Sequence, residues 1–356
     1  MSFINKKFLK EKYFHIKEKS IEGRWITFGD IEPLLLKNQK KYELFQIGSS
    51  EEGIPIYKIK IGKGKKKILI WTQMHGNEST GTKAVFDLLN FITEFSNSDL
   101  VEKILNEVEI RIIPMLNPDG SLVYTRVNSN GIDLNRDAVN LVAKESRILR
   151  KVLKSFSPDF CFNLHDQRTI FGVEGTHNPA TISFLAPSEE ETRSLTKGRI
   201  QTMDVIGSMN NLLQQIIPDH IGRYTDEFYP TATGDNFQKL GHNTILIEAG
   251  HFSNDYKREE VRKFNFYALI QGIFHISQNN KFENHTEYFR IPNNIKNFYD
   301  VIYRSKNNKK DIAYQYVEQI ESNKFALTLV KKEEGDLSSY LGHKEINKSD
   351  SFLSPL

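Results

Sequence analysis

The sequence has little cysteine and no long apolar run. Cys161 is the single cysteine among 356 residues, so no disulfide can form within the chain, and its apolar neighbours favour a buried thiol over a nucleophile. No apolar stretch is long enough to cross a bilayer. Residues 1–20 lack the continuous apolar core of a signal peptide. We therefore expect a cytoplasmic protein without a membrane partner.

An excess of one charge is also missing. The chain has 48 lysines and arginines against 45 aspartates and glutamates, a net charge of +3. This balance argues against a nucleic-acid partner, which selects for clustered positive charge. The length allows one large domain with a smaller appendage. We predict a catalytic domain over residues 1–280 and a small β-rich appendage over residues 286–356.

Strands alternate with helices along the first domain, which is the pattern of an α/β fold. Apolar runs near residues 68, 160 and 245 predict central strands that are buried on both faces. Helices are expected over residues 79–95, 138–156, 188–215 and 256–278. Together these elements predict a mixed, mostly parallel central sheet flanked by helices. In the appendage, strands are expected over residues 298–303, 312–319 and 325–330.

Polar side chains follow the ends of the predicted central strands. One strand leads into His75-Gly76-Asn77-Glu78, the next ends at His165, and a late one ends at Glu248. Ligands bind outside the carboxyl ends of strands in such sheets, which makes these residues candidates for a site. Nitrogen and oxygen ligands together suit zinc. A histidine and a glutamate in a polar loop are also common as solvated surface groups, and this pair alone does not decide between the two.

Further segments complete a recognisable pattern. They are the turn Asn117-Pro118-Asp119-Gly120, then Arg126, then the run Asn130-Gly131-Ile132-Asp133-Leu134-Asn135-Arg136. In this order, with the histidines and glutamates described above, residues 42–275 resemble the M14 family of zinc carboxypeptidases. The resemblance implies the zinc carboxypeptidase fold and a bacterial-type cytoplasmic branch of the family.

The resemblance also implies a metal centre. One zinc ion would be held by His75, Glu78 and His165, with a fourth position open for water. Asp133 matches the family residue that orients the first histidine through its other ring nitrogen. Glu248 matches the general base, which takes a proton from the attacking water and returns it to the leaving nitrogen.

Other residues match the family's substrate-binding positions. Arg126 matches the arginine that stabilises the oxyanion. Asn135 and Arg136 match the pair that grips the terminal carboxylate, since a guanidinium holds a carboxylate by two parallel bonds. Tyr229 is the better match for the mobile aromatic residue that closes over substrate, and Tyr224 is its competitor.

The implied reaction is hydrolysis of the C-terminal peptide bond of a peptide. Asp235 falls where the family sets side-chain preference and would favour a basic terminal residue. A zinc-dependent deacylase of small N-acyl amino acids is the alternative, because the related succinylglutamate desuccinylase and aspartoacylase enzymes share the His-x-x-Glu opening and the Asn-Arg pair. The turn at residues 117–120 favours the peptidase. A non-catalytic peptide-binding relative is a second alternative, disfavoured because every ligand and Glu248 are present.

Overall fold

The structure is a computed structural model that describes residues 4–305 and 310–347, apart from residues 38 and 40. Its strands are β1 (Glu43–Ser49), β2 (Pro55–Gly62), β3 (Lys66–Thr72), β4 (Val108–Ile113), β5 (Phe160–Asp166), β6 (Phe171–Val173), β7 (Ile182–Leu185), β8 (Ile221–Arg223), β9 (Asn243–Ala249), β10 (Asn294–Lys296), β11 (Phe298–Arg304), β12 (Asp311–Glu321), β13 (Lys324–Gly335) and β14 (Leu341–Asn347). Its helices are α1 (Lys6–Ile16), α2 (Phe28–Lys37), α3 (Thr80–Glu94), α4 (Asp99–Glu107), α5 (Pro118–Leu122), α6 (Lys144–Phe156), α7 (Lys197–Gln214), α8 (Thr233–Lys239), α9 (Glu259–Gln278) and α10 (Thr286–Phe289). Leu134–Arg136 forms a short 3-10 turn.

Eight strands form the central sheet in the order β1-β2-β4-β3-β5-β9-β7-β8. The middle strands β4, β3, β5 and β9 run parallel to one another. Strand β2 joins β4 and strand β7 joins β9 in the antiparallel direction. The middle strands are continuous apolar runs because helices bury both of their faces. The mixed, mostly parallel sheet predicted from the sequence is confirmed.

Two hydrophobic cores lie on opposite faces of this sheet. The larger core contains residues of α1, α3, α4, α7 and α9, including Phe91 and Phe266. The smaller core contains residues of α6 and α8, including Leu149 and Phe237. Consecutive side chains of a strand point to opposite faces, so β3, β4 and β5 contribute to both cores. None of the helices in the described part of the chain has the length and apolar content needed to cross a membrane.

Two helices begin later than the sequence pattern predicts. Helix α6 begins at residue 144, not near 138, because Leu141 has a φ of +53° and the Asp137 carboxylate accepts backbone N–H groups of this segment. Helix α7 begins at residue 197, not near 188. Arg193 has a φ of +55°, and the Thr196 side chain caps α7 by accepting a hydrogen bond from its first turn. The structure also contains α4 and α8, which were not predicted.

The C-terminal strands form a separate four-stranded sheet in the order β13-β12-β11-β14. Its β-rich character was predicted, but its fourth strand β14 was not. Strand β12 pairs with β11 only through residues 312–314, whereas it pairs with β13 along its whole length. The far half of β12 and its partner β13 therefore extend as a hairpin. The domain boundary between residues 280 and 286 stays a prediction. Strand β10, which follows this boundary in the chain, pairs with β6, which precedes it.

A buried ion pair joins two of the helices behind the central sheet. Asp87 of α3 and Arg262 of α9 are both fully buried, and the Arg262 Nε atom lies 2.8 Å from Asp87 Oδ2. The Tyr13 hydroxyl of α1 donates to the same carboxylate at 2.8 Å. Arg262 also donates to the backbone oxygen of Ile21 at 2.8 Å. This network connects the N-terminal segment to α3 and α9.

We expect Arg262→Leu to lower the free energy of unfolding by about 3–5 kcal/mol, because it leaves the Asp87 carboxylate buried without its counter-charge. Arg290→Leu is the matched control, since Arg290 forms an ion pair with Glu287 at the surface and should contribute far less. Urea unfolding followed by circular dichroism measures both variants. Equal losses in the two variants would contradict this view of the network.

Candidate metal centre and active site

Two touching turns place the first candidate ligand. A Cβ atom on Gly76 would lie 2.0 Å from the carbonyl carbon of Gly120, so these two backbones can meet only where residue 76 has no side chain. The Asn117 side chain accepts a hydrogen bond from Gly120 N at 2.9 Å and donates one to the Met74 oxygen at 3.2 Å. The turn at residues 117–120 therefore fixes the backbone on which His75 stands.

Three potential ligand atoms converge at the carboxyl end of the sheet. The Nδ1 atoms of His75 and His165 lie 3.2 Å apart. Glu78 places Oε1 at 2.8 Å from the first of these atoms and Oε2 at 2.9 Å from the second. Among the residues that the structure describes, this is the one group of three or more His, Cys, Asp or Glu side chains with ligand atoms this close, all within 4.8 Å. All three side chains are buried.

Asp133 contacts the His75 ring at the nitrogen that does not face Glu78. Its Oδ1 atom lies 3.1 Å from His75 Nε2 and accepts a hydrogen bond from Asn135 N at 2.9 Å. Its Oδ2 atom accepts one from Arg126 Nε at 2.9 Å. Burial raises the pKa of Asp133, but the hydrogen bond to His75 and the charge of Arg126 outweigh burial and hold the pKa well below its usual range. The contact turns the Nδ1 atom of His75 toward Glu78, as a metal ligand requires.

Glu248 lies beside His165 because β5 and β9 are parallel and in register. His165 and Glu248 are paired residues of these strands, so their side chains leave the sheet on the same side. Burial raises the pKa of Glu248 well above its usual range, and the charges of Glu78 and Asp166 add to the effect. A carboxylate whose affinity for a proton is raised in this way has the property of a general acid–base group.

Comparison with known proteins identifies the family. Residues 31–213 match the family model for zinc carboxypeptidases. The chain belongs to the zinc carboxypeptidase family. It is 27% identical over 196 residues to carboxypeptidase SOL1 of Arabidopsis thaliana, a match that covers 49% of this chain and 40% of that protein. It is 28% identical over 131 residues to carboxypeptidase D of Homo sapiens, covering 31% of this chain and 10% of that protein. These curated relatives are thus matched over less than half of their length.

Solved structures show the same fold. The metallo-carboxypeptidase of Burkholderia cenocepacia matches with a TM-score of 0.57 and 18% identity, over 71% of this chain and 69% of that one. Carboxypeptidase A of Helicoverpa armigera matches with a TM-score of 0.54 and 14% identity, over 76% of this chain and 79% of that one. At these identities the likeness concerns the fold, which is the fold that the sequence pattern implied.

Zinc is the cofactor that this family implies, and the three side chains fit it. Two imidazole nitrogens and one carboxylate are a donor set that zinc accepts, and three protein ligands are typical of a catalytic zinc site. Burial raises the pKa of Glu78, but the facing His75 and His165 rings outweigh it and hold the pKa well below the usual range. The carboxylate is therefore ionised, as a metal ligand must be.

One cavity of about 490 Å³ connects these ligands with the residues predicted to bind substrate. Its wall includes Glu248, Arg126, Asn135, Arg136, Tyr229 and Asp235. Arg126 reaches the metal ligands, with its Nη1 atom 3.3 Å from Glu78 Oε1. The Asn135 oxygen accepts a hydrogen bond from Thr233 N at 3.1 Å, which orients the amide group. Arg136 is exposed, and its guanidinium lies 5.9 Å from the centre of the Tyr229 ring.

Both candidate tyrosines line the cavity, but they are packed differently. Tyr229 is 49% exposed and donates its hydroxyl to Glu227 at 2.9 Å. Tyr224 is partly buried, and its ring packs edge-on against Phe171 with ring centres 5.2 Å apart. Movement of Tyr224 would break this packing, whereas movement of Tyr229 breaks one exposed hydrogen bond. The Tyr229 side chain is thus less tightly held than the Tyr224 side chain.

Several charged groups at the cavity were not found from the sequence, among them Arg24, Arg258 and Glu318. Arg258 is buried and lies 3.0 Å from the Asp166 carboxylate, which it neutralises beside the metal ligands. Arg24 and Glu318 form another ion pair at 2.7 Å. Each is a single charged residue without a neighbouring motif, so local sequence carries no signal for it.

We expect Asp133→Ala to weaken zinc binding by about 10–100-fold, because the His75 ring loses the partner that orients it. Competition against a chromogenic chelator measures the affinity. Glu227→Ala is the control, since Glu227 lines the same cavity but contacts Tyr229 and no ligand. Asp133 also caps the turn that follows it, so thermal unfolding should be followed in parallel. Unchanged affinity in a folded Asp133→Ala protein would disprove the orienting role.

Proposed function

We propose that this chain is a zinc-dependent carboxypeptidase that hydrolyses the C-terminal peptide bond of a peptide. The observation that carries the proposal is the meeting of three elements in one cavity. These are the ligand set of His75, Glu78 and His165, the partly buried Glu248 and the exposed Arg136. A metal centre with an adjacent carboxylate fits hydrolysis, and an exposed guanidinium fits an anionic substrate end.

Arg136 and Asn135 are the proposed anchor for the terminal carboxylate. The Arg136 Nη1 atom donates to the backbone oxygen of Asn135 at 2.8 Å, which fixes one edge of the guanidinium. A planar guanidinium can then present parallel N–H groups to a carboxylate. Anchoring at this point sets the last peptide bond beside the metal ligands. Tyr229, close to Arg136, is suited to cover the bound residue.

The remaining groups have roles in the chemical step. When bound, zinc supplies a Lewis acid that polarises the scissile carbonyl and favours attack by water. Glu248 accepts a proton from the attacking water and passes it to the leaving amino group, which its raised pKa favours. Arg126, held by Asp133 at 2.9 Å, stabilises the negative charge that develops on the carbonyl oxygen.

The zinc-loaded protein is expected to release the last residue of peptides with a free carboxyl terminus and to leave matched C-terminal amides intact. Glu248→Gln should keep its zinc and lose at least about 100-fold in kcat, since it removes the group that moves the proton. Mass spectrometry of the released amino acid and zinc analysis of the purified proteins measure both effects.

Each other outcome of this assay has a clear meaning. Turnover confined to N-acyl amino acids would replace the peptidase with the deacylase. Bound zinc without turnover of either substrate class would indicate the non-catalytic peptide-binding relative. A fully active Glu248→Gln protein would rule out the general base.

We further propose that Asp235 favours a basic residue at the substrate's C-terminus. The Asp235 side chain is buried in the cavity wall at the start of α8, and its Oδ1 atom accepts a hydrogen bond from Tyr229 N at 3.2 Å. Burial raises its pKa to about 6. The carboxylate is therefore charged above this pH and neutral below it.

The ratio of kcat/KM for lysine-terminated over leucine-terminated peptides should fall as the pH is lowered through about 6, because Asp235 loses its charge. In Asp235→Asn the ratio should be low and independent of pH over the same interval. Steady-state assays with paired peptides measure it. A ratio near one at high pH in the unmodified protein would contradict the proposed preference.

A further inference from the structure

A polar wall built outside the family-matched residues lines part of the cavity. The wall consists of Arg24, which precedes residues 31–213, and Glu318, which lies on β12 of the C-terminal sheet. The Arg24 Nη2 atom lies 2.7 Å from Glu318 Oε1, and the Tyr124 hydroxyl donates to Glu318 Oε2 at 2.6 Å. Both wall residues line the cavity that contains the metal ligands. The C-terminal sheet thus forms part of the site.

Contacts on both sides of Glu318 fix the β12–β13 hairpin over the main domain. The Phe325 ring packs edge-on against Tyr124, with ring centres 5.2 Å apart. The Tyr316 ring packs in the same way against Tyr256 at 4.9 Å. Aromatic pairs of this geometry add stability beyond the area that they bury. The carboxylate of Glu318 therefore has a defined position at the cavity.

The wall and the proposed carboxylate anchor line the same cavity as the metal ligands. Arg24 precedes the central sheet and Glu318 lies on β12 of the C-terminal sheet, whereas Arg136 ends the short turn Leu134–Arg136. Because these groups come from separate parts of the chain and meet at one cavity, a peptide whose carboxylate is held by Arg136 can extend along the cavity toward Glu318.

The charge at the wall favours a cation. Glu318 is 26% exposed, and a carboxylate can accept about four hydrogen bonds, so its two partners leave capacity for another donor. Arg24 balances the charge of Glu318, but the buried Asp300 carboxylate lies near enough to interact with Arg24 as well. An ammonium group at Glu318 could therefore donate to the carboxylate oxygens on the side that Arg24 and Tyr124 leave open.

We propose that Glu318 binds the free ammonium group of a short peptide, and that the wall restricts the enzyme to peptides of a few residues. This inference rests on the proposed carboxypeptidase function and names its substrate class. The cavity volume of about 490 Å³ agrees, since it is within the range that encloses a small ligand. The N-terminal segment and the C-terminal sheet would then determine substrate length, while the metal ligands and Glu248 at the end of the central sheet perform the reaction.

The test uses the zinc-loaded full chain and three related substrates. These are a free tripeptide, its N-acetylated form, and a longer peptide with the same three C-terminal residues. We expect kcat/KM to be about 10–100-fold higher for the free tripeptide than for the other two substrates, which is the factor expected from one hydrogen bond to a charged group. Glu318→Gln should remove most of this difference by slowing the free tripeptide and leaving the acetylated form unchanged.

Two control variants separate recognition from structure. Tyr124→Phe removes the hydroxyl that donates to Glu318 but keeps the Glu318 carboxylate, so the preference for a free amino group should persist. Glu333→Gln changes a carboxylate of the same hairpin that bonds to Tyr299, away from the cavity, and should change none of the rates. Zinc content and the unfolding midpoint are followed for each variant.

Two outcomes overturn the inference while the proposed function stands. One is equal cleavage of the free and acetylated tripeptides by the unmodified protein, which needs no variant to be folded. The other is an equal loss on both forms in Glu318→Gln, as a purely structural role predicts. Absence of cleavage of any peptide overturns the proposed function and this inference with it.

Discussion

The parallel pairing of β3, β5 and β9 is the constraint on which the site depends. Because these strands are parallel and in register, their carboxyl ends lie side by side. His165 and Glu248 therefore leave the sheet next to each other. The turn after β3 then has to carry His75 and Glu78 back toward the same edge. That turn is tight enough to need a glycine at its contact with the turn at residues 117–120.

Hydrogen bonds around the ligands convert this edge into a defined metal centre. Asp133 contacts His75, Arg126 and the backbone of Asn135. One carboxylate therefore orients a metal ligand, the neighbouring guanidinium and the first residue of the proposed substrate anchor. On the other side, Arg258 neutralises Asp166 next to the third ligand. Asp166 and Arg258 thus compensate each other's charge, which limits the cost of burying them.

The C-terminal sheet gives the cavity a boundary that the family-matched residues do not provide. Its β12–β13 hairpin contacts Tyr124 and Tyr256 of the main domain and places Glu318 against Arg24. Chemistry and substrate length would then be encoded in different parts of the chain. Such a division would separate the groups that set substrate length from the metal ligands.

Local pattern alone was enough to predict the central strands, the α/β class and the order of the candidate ligands. Apolar runs and the spacing of His75 and Glu78 are visible within a few consecutive residues, so no tertiary information is needed to find them. The late start of α6 was missed because the Asp137 side chain accepts backbone hydrogen bonds from Val142 and Ala143, and Leu141, which precedes them, has a positive φ. Only the folded chain decided the pairing of Arg24 with Glu318, because a contact between residues so far apart depends on how complete domains pack.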